Sequence, residues 1–285
     1  MSFEIKTRML NTVHDLTLVQ KLEEEVWKMQ PLPLHQTITA SQNGGLLLGA
    51  FINEDLVGFS YSFAGFNNGK SYLCSHMLGV HPSHQMKGIG AILKEKQKEL
   101  AREMGYELIM WTYDPLETRN AYLNLSKLHA ISSTYVDKCY GDMEDNLNKG
   151  IPSDRLKVEW WINSPYISKP YPFNQEQAEL IFKWETIEGK LPKLKNIEED
   201  LPSISSSDNP ILLPVPVNFQ YVKNTNKELA MDWRFKTRKI FHTLFYKGYA
   251  VVSLIKNNNQ SVHFYVFVPK RSLQNLLHDK GVTTE

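Results

Sequence analysis

The stretch Leu78–Glu95, LGVHPSHQMKGIGAILKE, decides how this chain is read. An apolar strand pattern ends at Val80. Pro82 follows, then Gly88 and Gly90, then a run with helical spacing. The first turn of a helix carries unpaired N–H groups and about half a positive charge from the aligned peptide dipoles. Glycines at that point let a phosphate approach the backbone closely. The stretch therefore calls for a phosphate-bearing ligand, and it excludes two ways of holding one. A Gly-Lys-Ser/Thr loop fails because Gly90 is followed by Ala91 and Ile92. A dinucleotide loop fails because Leu93 stands where a third glycine is needed, and because HPSHQMK separates Val80 from Gly88 in place of a tight turn.

Working outward, Leu16, Val19, Leu22 and Val26 recur at spacings of three and four, which predicts an amphipathic helix over Val13–Met29. GGLLLGAFI and LVGFSYSF read as strands joined by the acidic turn NEDL, and SYLCSHMLGV reads as a third. A helix is expected from Gly88 to Met104. Ile89, Ile92, Leu93 and Leu100 mark its apolar side, Lys and Glu its wet side, and Gly105 its cap. ELIMWTY is a buried type of strand closed by Asp114-Pro115. Trp111 and Tyr113 share one of its faces and are expected in the core. TRNAYLNLSKLHA reads as another helix, and STYVDKCY and RLKVEWWIN as strands.

After Ser164 the composition turns to Pro, Ser and charge. SPYISKPYPF and KLPKLKNIEEDLPSISSSDNP read as a linker or wrapping loop, with a short helix around Gln175–Trp184. Regular patterning resumes with strand ILLPVPV, a helix over Asn226–Phe245, Gly248, and strands YAVVSLI and SVHFYVFV around a KNNNQ turn. The expected organisation is residues 1–165, 166–208 and 209–285: a first domain, a linker, and a smaller C-terminal α/β unit.

The chain has 285 residues and a formal net charge of +1, which gives no reason to expect nucleic acid or an anionic membrane as partner. No apolar run approaches the length of a bilayer span, and MSFEIKTRML has no signal-peptide core. Cys74 and Cys139 alone do not make a disulfide framework, and the nine His residues are scattered. A cytoplasmic protein without a metal is the expectation.

Val80, Pro82, Gln85, Gly88 and Gly90 stand as in strand, Val-x-Pro, then Gln/Arg-x-x-Gly-x-Gly/Ala at a helix start. In this the chain resembles the GNAT superfamily of acyl-CoA-dependent N-acyltransferases. The order of elements over roughly the first 165 residues agrees. DPLETRNAYLNLSKLHA and NKGIPSDRLKVEWW resemble a little-characterised branch with an added C-terminal region. The resemblance implies an α/β fold with a mixed, mostly antiparallel central sheet flanked by helices. It implies acetyl-CoA or another acyl-CoA as co-substrate. The activity implied is transfer of an acyl group, acetyl or succinyl, to a primary amine of a small molecule or amino acid. The alternative is a CoA-binding regulatory or interaction module without catalysis. The C-terminal unit is open to three roles: covering the cleft, extending the sheet, or forming a homodimer.

Carried over residue by residue, the resemblance implies that the pantetheine arm lies beside Met77, Leu78, Gly79 and Val80, with Gly79 relieving crowding there. The N–H groups of Met86, Lys87, Gly88, Ile89, Gly90 and Ala91 are implied to hold the pyrophosphate. Gln85 replaces the more frequent Arg, and Lys87 offers a compensating charge. Asn120 matches an Asn that contacts CoA near the thiol; otherwise it is a helix cap. The chemistry needs a base, because an alkyl amine is mostly protonated at neutral pH. The strand carboxylate of relatives is replaced by Cys74, and His76, two residues on and on the same strand face, is the candidate base. The acid of relatives aligns with Leu125, and Tyr122, three residues earlier, is the candidate substitute. Arg119 could grip a substrate carboxylate, and Asp154 and Arg155 carry no chemical assignment.

Overall fold

The computed structural model describes residues 4–67, 69–143, 145, 147–204, 209–258 and 260–277. Two units divide it, Met1–Trp111 and Thr112–Glu285. The first unit runs β1 (Ile5–Met9), α1 (Val13–Trp27), α2 (Leu34–Gln42), β2 (Leu46–Ile52), β3 (Asp55–Asn67), β4 (Lys70–Val80), α3 (Ile89–Glu103) and β5 (Leu108–Tyr113). The last two residues of β5 fall in the second unit.

α1 begins at a capping box. The Thr12 hydroxyl accepts from the Asp15 N–H at 3.1 Å, and the Asp15 carboxylate accepts from the Thr12 N–H at 3.2 Å. Leu16, Val19 and Leu22 are buried, as their spacing predicts. The strands order as β1-β2-β3-β4-β5. The expected hairpin of β2 and β3 forms, and Asn53 turns it with a positive φ of 54°. α1 and α2 cover one sheet face, where Leu16, Val19 and Leu22 meet Phe59 and Tyr61. α3 lies against the strands as well, and a Cβ at Gly58 would meet Ile89 at 2.8 Å.

β4 sets up the site. It pairs antiparallel with β3 from Val80 opposite Gly58 to Lys70 opposite Asn67. It pairs parallel with β5 over Leu73–Ile109 and Cys74–Met110 alone. From Ser75 onward the two strands part. The register with β3 also slips there: Tyr61 faces Met77, Ser62 faces Ser75, and His76 is the extra residue of a β-bulge.

α3 starts at Gly88, whose φ is 80°, and ends at Met104, with Gly105 at φ 86° as the expected stop. Its apolar side differs from expectation. Ile92 is 37% exposed, whereas Lys94 and Gln97 are buried at 3% and 0%.

In the second unit the expected helix after Pro115 is one turn of α4 (Thr118–Ala121) passing into a π-helix, Tyr122–Lys127. Then come β6 (Ile131–Val136), β7 (Arg155–Trp161), β8 (Trp184–Ile187), β9 (Leu191–Leu194) and α5 (Asp200–Ser203). β10 (Ile211–Pro216), α6 (Phe219–Thr225), α7 (Lys227–Tyr246), β11 (Tyr249–Ile255), β12 (Val262–Pro269) and α8 (Gln274–Leu277) complete it. The strand order is β7-β6-β11-β12-β10. The Pro- and Ser-rich stretch is packed down: Phe182, Leu191, Leu194, Ile197, Leu201 and Ile204 are all buried, and β8 pairs with β9. The helix expected around Gln175–Trp184 is a single 3-10 turn, Gln175–Gln177, because the chain then extends into β8. Within SISSSDNP, residues 205–208 lie outside the described residues, as does Asn259 of the KNNNQ turn.

Asp114, expected as a strand stop, is also an ionic hub. It accepts from Arg234 and lies 3.8 Å from Arg155. Asp154 takes Arg238 through both carboxylate oxygens, at 2.8 and 2.7 Å, and the Tyr135 hydroxyl at 2.8 Å. Asp154 and Arg155 thus tie β7 to α7 and to the loop before it, a structural role the sequence did not show.

Candidate active site

The loop after β4 is built from short turns. The His81 N–H donates to the Val57 carbonyl at 2.9 Å, which ends the strand pairing. A 3-10 turn, Pro82–His84, follows, with the His81 ring accepting from the Ser83 N–H. Gln85 is extended, and then two residues adopt positive φ: Met86 at 66° and Gly88 at 80°. Met86 is 82% exposed. Lys87, between them, is exposed and shares a hydrogen bond with the His84 ring at 3.2 Å. The first intrahelical bond at this end runs from the Ile92 N–H to the Gly88 carbonyl at 3.1 Å. Ile89, Gly90 and Ala91 therefore have no helical partner for their N–H groups. A Cβ at Gly88 would meet nothing within 4 Å, so glycine is needed there for its φ and not for room.

These features fit an acyl-CoA. The loop offers N–H groups at a helix start, and the parted edge of β4 offers backbone to an extended arm. The predicted contact residues Leu78, Gly79, Val80, Gln85, Met86, Lys87, Gly88, Ile89, Gly90 and Ala91 all fall on this one strand, loop and helix start. Gly79 has a further cause: a Cβ there would lie 2.7 Å from the Phe59 ring and 3.0 Å from Trp27, which pack edge to face.

His76, placed by the bulge, sits beside Phe63 and Tyr61, with ring centroids 5.7 and 6.1 Å away. Cys74 pairs opposite Phe63, and the bulge at His76 interrupts the strand alternation from which a shared face was expected. Partial desolvation holds the His76 imidazole below its ordinary pKa. Tyr61 is buried, and burial raises its phenol, with the charges of Cys74 and Glu23 adding to the effect. Glu23 was missed in the sequence. It is buried on α1, accepts the Leu32 N–H at 2.8 Å, and burial raises its carboxyl. Its place one position after Leu22, on the apolar stripe, was the available signal.

Lys94 was missed too. Its ammonium donates to the Ser75 hydroxyl at 2.8 Å and to the Gln97 side-chain oxygen at 3.2 Å, and it lies 3.6 Å from the Trp111 ring centre. Burial lowers it to about 7.

In the second unit Tyr122 is half-buried at the start of the π-helix, with Lys256 3.7 Å over its ring. Leu125 is buried. Asn120 is exposed and does not cap its helix, because Glu117 occupies that position. Arg119 is exposed as well.

Fold and loop together define an α/β domain whose helix start is suited to a phosphate-bearing ligand. Residues 10–123 match the model of the acetyltransferase (GNAT) family. Over that stretch the chain is similar to the GNAT acetyltransferases, a family of acyl-CoA-dependent enzymes. Among solved structures, the ribosomal-protein-S18-alanine N-acetyltransferase of Escherichia coli is similar at 14% identity over 56% of this chain and 94% of its own, with a TM-score of 0.47. Naa50 of Arabidopsis thaliana, in complex with the bisubstrate analogue CoA-Ac-MVNAL, is similar at 14% identity over 54% and 97%, with a TM-score of 0.44. A GNAT-family acetyltransferase of Streptococcus pneumoniae is similar at 13% over 55% and 98%, with a TM-score of 0.45. No curated protein matches the chain. No helix among the described residues is long and apolar enough to cross a membrane.

Proposed function

We propose that this protein transfers an acyl group, acetyl or succinyl, from acyl-CoA to a primary amine of a small molecule or amino acid by direct attack of the amine on the thioester. The observation that carries the reading is the coincidence at Ser75–His76. There β4 parts from β5, and there the bulge presents an imidazole. The loop N–H groups of Met86 to Ala91 hold the pyrophosphate, with Gln85 and Lys87 beside it. The pantetheine arm runs back along β4 past Val80, Gly79 and Leu78 and bonds its free edge as an added strand does. His76, kept neutral near physiological pH, takes the amine proton directly or through water. A backbone N–H near Val80 stabilises the oxyanion. Tyr122 is the candidate acid for the departing thiolate, and Asn120 a contact to CoA near the thiol. A count of two cysteines, Cys74 and Cys139, accords with a cytoplasmic location.

The amine attacks the carbonyl carbon, the C–N bond forms, the C–S bond breaks, and amide and CoA leave. Holding amine and thioester together supplies the larger part of the acceleration. The decisive experiment is a panel of acyl-CoAs against amines and amino acids, with CoA release followed by a thiol reagent. Turnover with at least one pair is expected. CoA binding without turnover across the panel would favour a regulatory CoA-binding module, the reading that Cys74 in place of a carboxylate supports.

A further inference from the structure

Lys94 stands at the point where the two strands part. Cys74 and Met110 are the last residues in register; Ser75 and Trp111 come next on their strands, and the Lys94 ammonium touches both. Among the described residues no carboxylate pairs with it. Gln97 on α3, Ser75 on β4 and the Trp111 ring on β5 carry no charge, and the titratable group that acts on it is the Cys74 thiol. Among the described residues the other deeply buried cations, Arg155 and Arg234, both lie on Asp114.

Ser75 is buried and accepts twice. Its oxygen accepts from Lys94 at 2.8 Å and from the Gln97 amide at 3.1 Å. A hydroxyl has two lone pairs and one proton. With both lone pairs occupied, the O–H remains as a donor, and among the described residues no acceptor takes it. That unused donor sits where the sheet opens. If the pyrophosphate lies at the loop after Val80, the arm runs back toward Ser75. Five residues at ~3.3 Å each give about 17 Å of strand for it to follow. The sulfur end is then nearest Ser75.

We propose that Ser75 and Lys94 form the proton-donating pair for the thiolate released from acyl-CoA. This rests on the acyl-CoA reading above. As the C–S bond breaks, the sulfur takes the Ser75 hydroxyl proton while Ser75 takes one from the Lys94 ammonium. Lys94 is left as a neutral amine and regains a proton from solvent. The attacking amine loses its own proton to His76. The products are amide and CoA thiol, and the charge balances. A lysine lowered to about 7 gives up a proton readily to a thiolate whose acid has a pKa of ~8.5.

The test needs no acceptor amine. The thiolate absorbance of CoA bound to the protein is titrated against pH, with the desulfo-CoA complex as the blank for Cys74 and Cys139. In the wild type the bound thiol should titrate about one pH unit below free CoA, a tenfold gain in thiolate at neutral pH. Lys94→Met should return it to the free value, and Ser75→Ala should move it the same way. Calorimetry with CoA accompanies each protein. Unchanged CoA binding with an unshifted thiol in the wild type overturns the pair and leaves the acyl-CoA reading standing. The same holds if the shift persists in both variants. Failure of the wild type to bind CoA overturns both. Because the first comparison uses the wild type alone, it stands even if a variant does not fold.

Discussion

Replacing Lys94 with methionine should stabilise the protein at acid and neutral pH and destabilise it at high pH. Lys94 is buried with no carboxylate partner among the described residues, and that burial lowers it from 10.5 to about 7. In the unfolded chain it titrates near 10.5. Between those values the unfolded state binds more protons, so wild-type stability rises with pH across the window. The gap, 10.5 less about 7, is about 3.5 pH units, and at ~1.4 kcal/mol per unit its upper bound is about 5 kcal/mol. Methionine removes that cost but leaves the Gln97 oxygen without its donor, which costs about 1–3 kcal/mol. Lys94→Met should therefore gain at most about 2–4 kcal/mol at pH 6, where the ammonium is buried charged, and lose up to about 1–3 kcal/mol at pH 10. Urea unfolding of both proteins at pH 6, 8 and 10 measures this directly. Two stability curves separated by a constant offset would mean that Lys94 keeps an ordinary proton affinity in the fold and that its burial does not lower it.

Gly88→Val should weaken acyl-CoA binding about tenfold or more in calorimetry while the protein stays folded, because φ 80° suits glycine and open space surrounds its Cβ. His76→Ala should lower kcat/KM by roughly 10²–10⁴, with CoA affinity kept. The acid limb of the wild-type pH profile should fall below the ordinary histidine value, since desolvation by its neighbours lowers the otherwise exposed His76 and the neutral ring is the active form. Tyr122→Phe should cost less than about tenfold in kcat, because Ser75 and Lys94 supply the proton, and a loss of about 10- to 100-fold would give that role to Tyr122. Gly79→Ala should lower the melting temperature, by about 1–3 kcal/mol of overpacking against Phe59 and Trp27, an effect visible without ligand.

Much of the first unit was legible because its signals are local. Leu16, Val19 and Leu22 mark the α1 face, Asn53 turns the first hairpin, and Gly88 and Gly105 bracket α3. What escaped were residues that break the binary pattern. Lys94 and Gln97 fall on the buried stripe of α3 with Ile89, Leu93 and Ala101, and a hydrophobicity count places a lysine outside. Only tertiary partners, Ser75 and Trp111, make its burial tolerable. The π-helix at Tyr122–Lys127 was equally hidden, since its i→i+5 bonding has no composition of its own. The bulge at His76 depends on the register of a neighbouring strand, which one strand's sequence does not carry. The stretch rich in Pro and Ser looked like a tether, yet Phe182, Leu194 and Ile197 anchor it, each too isolated in sequence to register as an element.

The brief pairing of β4 with β5 bears on how the backbone exchanges with solvent. β4 is bonded to β3 along its length, so the amides pointing that way should exchange deuterium slowly whether or not a ligand is present. On the opposite edge, from Ser75 to Val80, the parallel register has ended, and those amides must turn to water. A single strand should thus show two populations of amide, alternating along the chain, one protected and one fast. A ligand laid along the open edge would slow the second set and leave the first unchanged, so the isotope pattern of one peptide would report occupancy of the cleft.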